Sequence, residues 1–438
     1  MSEITGLEMP INNIKPFIIA NVKNQCEKET TARMSIVGAP GCGKSDIMRQ
    51  ICEENGWGLS VKYISNMDLC QITGIPCQVK DGEEAKWTKP EIFNFSNLDY
   101  RPKNYKEGET VTILLIDDFH LADRTIQKYL FQLLTYKSIN SYRLPKNTAI
   151  ILAGNRNTDK ALANVIPAPI MNRLAVFEVT AEATDWLKNF AFKHGVRSDI
   201  TSFIHMRGDV FLSQTPIESV PWASPRSWTF LSEQMDSYEK NIGPLNIDKL
   251  RVIATGLIGA EYATEFIAYR ELFAKWNFDK LYKENISTLK EKFEKEAQKN
   301  SSAVYAIVNS VSSWMINKLK EYNFNIELKE AGEVIDFTYE VMTTLLTIKV
   351  NNIQVKSLVI AGTNYIYMFQ EAVIDQVKNL PKNFDCVSVI RRFLQNLKKD
   401  RDIDYIYFEI ITNIFGKRLN ISDEDKKRID QAKKNLGL

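Results

Sequence analysis

Two stretches of the 438-residue sequence combine residue types that together could bind phosphate groups and a metal ion. The first, GAPGCGKS, follows a short β-rich run, Met34–Val37, and precedes a helical pattern. It satisfies the pattern G-x-x-x-x-G-K-[ST] in the strand–loop–helix setting that the pattern requires. Glycines let backbone amides approach phosphate oxygens, and the helix N-terminus adds a favourable dipole. The stretch therefore predicts a nucleotide phosphate site.

Each position of this loop has an expected role. The predicted phosphate-binding residues are Gly38, Ala39, Pro40, Gly41, Cys42, Gly43, Lys44 and Ser45. Lys44 would reach the β- and γ-phosphates, and the Ser45 hydroxyl would be a ligand of Mg²⁺. The expected cofactors are ATP and Mg²⁺.

The second stretch, TILLIDD, places two adjacent carboxylates directly after an aliphatic strand pattern. A strand that ends in an acid is where P-loop NTPases hold Mg²⁺, so Asp117 is the expected metal-binding carboxylate. Asp118 is expected to polarise the attacking water. The alternative is a pair of solvated acids at the start of a helix, Phe119–Tyr136, where negative charge is favoured.

Three further residues are candidates for catalysis. Asn155 follows a second apolar strand pattern, Ala149–Ala153, and could orient the attacking water because ligands collect at the carboxyl edge of parallel sheets. Arg173 precedes a strand pattern and Arg226 precedes a helical one. A cation near the γ-phosphate stabilises its spreading charge. For either arginine alone, a surface salt bridge is the competing interpretation.

The ordered set GAPGCGKS, LLIDD, AGNRN, MNRLAVFEV and WASPRSW resembles the AAA+ ATPases, most closely their MoxR branch and its phage-encoded relatives. The resemblance covers roughly residues 10–275. It implies a P-loop αβα core, a helical lid and a ring, usually hexameric, with nucleotide between subunits. By position, Asn155 matches sensor 1, Arg173 the arginine finger that acts on the neighbouring subunit's ATP, and Arg226 sensor 2. Asp118 departs from the family's glutamate, and its carboxylate is roughly 1.5 Å shorter in reach.

The resemblance also accounts for two turn-like segments. Around Asp81-Gly82, a favoured hairpin dipeptide, residues near 72–90 resemble the β-hairpin that this branch inserts in its second core helix. Trp87, Lys80 and Lys86 are its candidate contacts to a substrate or partner, with packing at the hairpin base equally expected for Trp87. Residues 138–147 match a second hairpin.

The predicted fold class is α/β: an AAA+ core at 1–222, a helical lid at 223–278 and a mainly helical C-terminal domain at 279–438. Two lid helices are expected within 248–275, broken near Gly256 and Gly259. The lysine- and glutamate-rich run from Asp279 to Lys299 predicts an exposed helix or linker that contains the domain boundary. Farther on, helices are expected at 304–320, 387–399 and 424–436, with a strand or buried helix near 345–360.

Composition limits the class of protein without identifying a function. The chain is 44% hydrophobic and 25% charged with a net charge of +2, so no global field directs it toward nucleic acid or an anionic membrane. Six cysteines without CxxC pairs suit a reducing compartment, so a cytoplasmic location is expected. The N-terminus has no signal-peptide pattern, and no apolar run is long enough to span a bilayer. None of the three histidines is expected to be catalytic.

Three functions remain open on the sequence. The leading one is an oligomeric ATPase that remodels or matures a protein partner, which in MoxR-like systems often carries a von Willebrand A domain. The second is a nucleic-acid motor or loader. The third is a nucleotide-gated scaffold in which Asp118 makes hydrolysis slow. The basic and aromatic residues of 391–434 could stack single strands, although solvated helices are the more common explanation of such patterns.

Overall fold

The computed structural model of the chain describes residues 8–28, 30–78, 85–156, 166–213, 220–299, 302–322, 328–346, 348–350 and 353–354. These residues separate into two compact units. The first comprises the described residues up to Asp185 together with Phe211–Phe230, and the second comprises Trp186–Val210 and those from Leu231 onward. The predicted division into three domains remains a prediction.

The described part of the chain contains twelve short or medium strands. In chain order they are β1 Met9–Pro10, β2 Arg33–Gly38, β3 Gly58–Tyr63, β4 Pro76–Gln78, β5 Ala85–Trp87, β6 Thr112–Asp117, β7 Ser138–Ile139, β8 Tyr142–Arg143, β9 Thr148–Gly154, β10 Leu174–Thr180, β11 Lys349–Val350 and β12 Ile353–Gln354.

The α-helices precede, separate and follow these strands. In chain order they are α1 Lys15–Glu27, α2 Lys44–Asn55, α3 Leu69–Thr73, α4 Arg124–Tyr136, α5 Ala168–Met171, α6 Ala183–Trp186, α7 Ser198–Met206, α8 Pro225–Asn241, α9 Ile247–Ile258, α10 Ala260–Lys275, α11 Phe278–Leu281, α12 Ile286–Lys299, α13 Ser302–Glu321 and α14 Lys329–Leu346.

The first unit is built on a six-stranded parallel sheet in the order β1-β10-β2-β9-β6-β3. Alternate side chains enter two different cores, as expected for a sheet that is covered on both faces. Ile113 and Leu115 of β6 belong to one core, and Leu114 and Ile116 belong to the other. Helices α1 and α2 contribute to the first core and α4 to the second. This three-layer arrangement, with helices after it, confirms the predicted fold class.

Parallel pairing brings the carboxyl ends of the strands to one edge. Gly38 at the end of β2 pairs with Val179 of β10, and Val37 pairs with Gly154 of β9. On the other side of β6, Asp117 pairs with Tyr63. The strands predicted from apolar runs are confirmed. Any side chain just beyond these ends is therefore placed at the same edge of the sheet.

The helix predicted to open at Phe119 begins later. Residues Phe119–Leu121 form a single 3-10 turn, and α4 starts at Arg124. Asp123 caps α4, since its carboxylate accepts from the Ile126 N–H at 2.8 Å. The prediction of one helix through Phe119–Tyr136 was wrong because a separate cap lies between the two pieces. The adjacent acids Asp117 and Asp118 consequently do not open α4.

Charged side chains connect several helices of the second unit. The Arg197 guanidinium donates to Asp236 and to Glu239 at 2.7 Å in each case. Arg270 of α10 donates through Nε to the buried Asp199 carboxylate of α7 at 3.0 Å. These carboxylates raise the pKa of Arg197 against the opposing effect of burial. The network connects α7, the second half of α8 and α10.

The remaining helices of this unit bury apolar faces against one another. Helix α13 packs against α10, α12 and α14, and α9 packs against α10.

The break between the predicted lid helices falls at Gly259, with φ of +83°, whereas Gly256 lies inside α9. Most of the run 279–299, predicted as an exposed helix or linker, forms α12, which buries Leu289 and Phe293; the expectation of full exposure was wrong. The helices predicted at 387–399 and 424–436 lie outside the described residues.

Candidate functional site

The phosphate loop joins β2 to α2 in a conformation that glycine favours. Gly41 has φ of +76°, and Gly43, which directly precedes α2, has φ of +99°. L-residues with side chains rarely adopt these angles. The first N–H groups of a helix have no partner within it, so the N-terminus of α2 offers donors to an anion. All eight predicted residues, 38–45, lie in this loop and the start of α2.

Two neighbouring segments pack closely against the phosphate loop. A methyl group on Gly38 would lie 2.5 Å from the Val179 carbonyl oxygen of β10. A methyl group on Gly41 would lie 3.1 Å from Ser224 Oγ and 3.4 Å from Arg226 Cβ. The beginning of α8 therefore packs directly on the phosphate loop, and it brings Arg226 beside the predicted nucleotide site.

Lys44 is buried at the centre of the loop. Its ammonium group donates to the carbonyl oxygens of Gly38 at 2.8 Å and Ala39 at 3.0 Å. The third bond goes to Asn155 Oδ1 at 3.0 Å. These bonds use all three donors of a lysine. A phosphate group could therefore bind Lys44 only by replacing at least one of these acceptors.

Ser45 and Asp117 form the predicted metal-binding pair. The Ser45 hydroxyl donates to Asp117 Oδ2 at 2.6 Å, although 71 residues separate the two in sequence. Asp117 is 7% exposed, so it is not the solvated acid of the alternative interpretation. Hydroxyl and carboxylate oxygens suit Mg²⁺, which commonly uses one or two protein ligands and completes its shell with water and phosphate. The pair fits the expected ion.

Asp118 has a strained backbone. Its φ is +54°, in the left-handed region, and its N–H donates to Asp117 Oδ1 at 2.9 Å. Aspartate and asparagine adopt this region more readily than most residues with side chains. Strain of this kind is often retained at functional sites. The conformation gives a physical reason for aspartate at the position where the resembled family has glutamate.

Asn155 follows β9 and reaches the loop from the adjacent strand. Its side-chain oxygen accepts the bond from Lys44, and its backbone N–H donates to His120 Nδ1 at 3.4 Å. His120 is 2% exposed and follows Asp118 by two positions. Sequence analysis gave this histidine no role. A signal was present, because His120 closely follows the two acids at the end of the strand that carries the predicted metal-binding carboxylate.

Tyr63 is a second residue at this edge that sequence analysis did not identify. It ends β3, pairs with Asp117 and is 49% exposed. Partial burial raises the pKa of its phenol, and the carboxylates of Asp117 and Asp99 raise it further, whereas Arg226 acts in the opposite direction. Tyr63 and Arg226 therefore share one electrostatic environment with Asp117 and Asp118. The run GLSVKY, which ends at Tyr63, has the composition of a strand and could have indicated that this residue lies at the edge of the sheet.

Arg173 lies at the opposite edge of the sheet. It directly precedes β10, whose first residue, Leu174, pairs with Arg33 at the start of β2. Its guanidinium donates to Thr135 Oγ1 and to the Pro169 carbonyl, both at 2.8 Å. Five strand residues at about 3.3 Å each put it on the order of 16 Å from the phosphate loop of the same chain. The sheet does not bring Arg173 together with the other predicted site residues.

The two predicted hairpins contact each other. Strands β4 and β5 are antiparallel, as are β7 and β8. The Tyr142 hydroxyl donates to the Trp87 carbonyl at 2.8 Å, and Asn140 Nδ2 donates to the Thr73 carbonyl at 2.9 Å. The Trp87 side chain is 37% exposed, and Lys86 beside it is also exposed. The Asp81-Gly82 turn and Lys80 lie outside the described residues.

Other chemistry is not evident in the described residues. They contain no group of three or more His, Cys, Asp and Glu side chains that could hold a metal ion. Burial lowers the pKa of His205 to about 4 and raises that of Cys52 to about 12, so at neutral pH both are neutral. No helix in the described ranges is long and apolar enough to cross a membrane.

Comparisons with known proteins identify only distant structural likenesses. No protein-family model and no curated protein matches the sequence. The matching solved structures include Thermotoga maritima RuvB, a Holliday junction branch migration motor, at 12% identity and a TM-score of 0.33, covering 65% of this chain and 82% of that one. One RuvB mutant matches at 13% identity and a TM-score of 0.32, covering 59% and 69%. Another matches at 11% and 0.33, covering 64% and 81%. A functional assignment must rest on the site itself.

Proposed function

We propose that this protein is a Mg²⁺-dependent ATPase of the AAA+ type. The observation that carries the proposal is the 2.6 Å bond between Ser45 of the phosphate loop and Asp117 of the neighbouring acidic strand end. The phosphate loop, the two adjacent acids and Asn155 lie together at one edge of a parallel sheet, where ligands of such folds bind. Chance would not be expected to bring a phosphate loop, a hydroxyl–carboxylate pair suited to Mg²⁺ and a side-chain amide to the same edge.

The geometry assigns a role to each group. Backbone N–H groups at the start of α2 and the Lys44 ammonium would bind the phosphates. Ser45 and Asp117 would hold Mg²⁺, which when bound would neutralise charge that develops on the phosphate oxygens. The Asp118 carboxylate and the Asn155 amide would orient the attacking water. Arg226 would supply positive charge from the beginning of α8.

Hydrolysis would require a second subunit. Arg173 is on the order of 16 Å from its own chain's phosphate loop, so it could act only on the nucleotide of a neighbouring copy. We therefore propose a homo-oligomeric ring, hexameric by resemblance to the MoxR branch. The five cysteines in the described ranges are not disulfide-bonded, in keeping with the proposed cytoplasmic location.

The two hairpins, which are connected by hydrogen bonds, form the surface through which we propose that the ATPase cycle acts on a client. Their mutual hydrogen bonds make them one surface, and Trp87 and Lys86 are exposed on it. In the leading proposal this surface engages a protein client, which by family resemblance could carry a von Willebrand A domain. An exposed tryptophan beside lysine also suits stacking on a single strand, which is the specific observation in favour of a nucleic-acid motor.

ATP turnover with and without DNA separates these two functions. For a protein-remodelling ATPase, we expect the rate to be unchanged by single-stranded or duplex DNA at low salt, because no nucleic acid enters its cycle. A nucleic-acid motor would be stimulated, and its DNA affinity would fall steeply with added salt. Trp87→Ala serves as the matched variant, since loss of DNA stimulation in that variant would support the motor and contradict the leading proposal.

Replacing Asp118 by asparagine is expected to lower kcat by about 100-fold or more while the Kd for ATP changes little. Asparagine tolerates the left-handed backbone but lacks the negative charge that polarises water. Single-turnover ATP hydrolysis and a binding titration measure the two quantities. Asp123→Asn is the control, because asparagine preserves the cap of α4. Slow turnover in the original chain that Asp118→Asn leaves unchanged, together with nucleotide-dependent assembly, would instead support the scaffold function.

A further inference from the structure

The imidazole of His120 lies inside the candidate site. His120 belongs to the 3-10 turn Phe119–Leu121 that directly follows Asp118. Its side chain is 2% exposed. Burial has the largest effect and lowers the pKa of the ring; the Asp118 carboxylate opposes it, Lys44 lowers the pKa further, and Asp117 raises it least. The histidine is therefore neutral at neutral pH and close enough to these three charged groups to interact with them.

A series of hydrogen bonds connects His120 to the phosphate loop. Lys44 donates to Asn155 Oδ1 at 3.0 Å, and the Asn155 backbone N–H donates to His120 Nδ1 at 3.4 Å. Because His120 follows Asp118 in the same short turn, the series ends beside the acid that is proposed to polarise water. The two groups expected to orient that water, on β6 and β9, are joined through this ring.

The position of the ring depends on a glycine in β9. A methyl group on Gly154 would lie 2.8 Å from His120 Nδ1 and 3.1 Å from Phe119 Cε1. Such separations are below van der Waals contact, so any side chain at position 154 would displace the turn. Gly154 has an ordinary strand conformation, and the close approach of the imidazole is sufficient reason for glycine there.

The hydrogen bond also determines the tautomer of the ring. With Nδ1 as an acceptor, the neutral imidazole carries its proton on Nε2. In the described part of the chain, Nε2 is buried without a hydrogen-bond partner. An unpaired buried donor costs about 1–3 kcal/mol, so its retention calls for an explanation, and a role in the site would supply one.

We propose that His120 is a positioning residue that sets the distance between the Asp118 carboxylate and the Asn155 amide during ATP hydrolysis. The ring acts through these two residues, and the inference rests on the ATPase function proposed above. Misplacement of a reacting group by about 1 Å can cost on the order of 100-fold in rate. A change at His120 should therefore affect kcat and leave nucleotide affinity almost unchanged.

The test compares two substitutions that differ in one property. His120→Leu fills the buried space without an acceptor, whereas His120→Asn places an amide oxygen close to the position of Nδ1. We expect His120→Leu to lower kcat by about 10- to 100-fold with the Kd for ATP within about threefold of the original. His120→Asn should recover most of that loss. His194→Leu, the same exchange at an exposed histidine of the second unit, is the control and should retain full turnover.

Gly154→Ala tests the same contact from the other strand. We expect Gly154→Ala to lower kcat as His120→Leu does. The added methyl group would lie 2.8 Å from His120 Nδ1 and would displace the ring. In a chain that already carries His120→Leu, the added methyl should lower kcat little further, because the acceptor that it would displace is already absent. Strictly additive effects in this double-mutant cycle would contradict coupling through the ring. Thermal unfolding of each variant identifies those that are merely unfolded.

The outcomes separate this inference from the proposed function. If the original chain neither binds nor hydrolyses ATP, the ATPase proposal fails and the role of His120 fails with it. If the original chain hydrolyses ATP and His120→Leu is equally fast, only the positioning role is overturned. Equal losses in folded His120→Leu and His120→Asn would also overturn it, because the loss would then follow packing rather than the acceptor.

Discussion

Replacing Lys44 by alanine is expected to weaken Mg-ATP binding by about 100- to 1000-fold, beyond the micromolar range. The ammonium is buried and surrounded by oxygen atoms of the phosphate loop and Asn155. Hydrogen bonds to charged groups contribute about 1.5–3 kcal/mol each, and Lys44 would form more than one with the phosphates. At about 1.4 kcal/mol per tenfold change, two such bonds at the lower end of this range, about 3–4 kcal/mol together, correspond to the expected loss. A titration with a fluorescent ATP analogue measures the Kd.

Lys23→Ala provides the matched control for this experiment. Lys23 is exposed on α1 of the same unit, so the same truncation there should leave the Kd for ATP unchanged. Thermal unfolding without nucleotide shows whether loss of the bonds from Lys44 to Gly38 and Ala39 has unfolded the loop region. Micromolar ATP binding by folded Lys44→Ala would contradict the assignment of the phosphate site.

Replacing Arg173 by alanine is expected to leave ATP binding intact and to lower turnover by on the order of 10³-fold or more. The residue lies at the sheet edge opposite the phosphate loop, so it cannot contact the nucleotide of its own chain. A neighbouring copy could place this guanidinium beside the γ-phosphate, where it would stabilise spreading charge. ATP hydrolysis at saturating nucleotide and a binding titration measure the two effects separately.

Thr135→Val is the control for the Arg173 prediction. The Thr135 hydroxyl accepts from Arg173 Nε, so valine removes a local partner but retains the cation. We expect a much smaller loss of turnover in that variant. Mixing Arg173→Ala with Lys44→Ala subunits should restore part of the activity, since one supplies intact phosphate loops and the other supplies arginines. Turnover by Arg173→Ala within about threefold of the original would contradict action on a neighbour.

The phosphate loop and the acidic strand end could be predicted from the sequence because each is a contiguous segment with a local physical cause. Glycines at positions 41 and 43 are required by the left-handed backbone of the turn, and the aliphatic run before Asp117 is buried on both faces of the sheet. Asn155 was predicted because parallel strands end at one edge. These inferences needed only the order of elements and the periodicity of apolar residues.

Other parts of the site depend on contacts that sequence patterns do not reveal. His120 is placed by a hydrogen bond to Asn155 and by the missing side chain of Gly154, both on another strand. Tyr63 reaches the acids only through the register of β3 with β6. The left-handed conformation of Asp118 separates the acids from α4, which a helical pattern through Phe119–Tyr136 could not indicate. Tertiary contacts determine the first two, and the third is a local backbone conformation.

The measurement that tests the central proposal most directly is Mg²⁺-dependent ATP turnover per subunit as a function of protein concentration. The mass of the particle should be measured in parallel, in ADP and in a non-hydrolysable ATP analogue. We expect turnover per subunit to rise with concentration as rings assemble, because Arg173 must come from a neighbouring copy. Turnover that is the same in monomers and in assembled rings would contradict a site completed between subunits, and no turnover in either would contradict an ATPase.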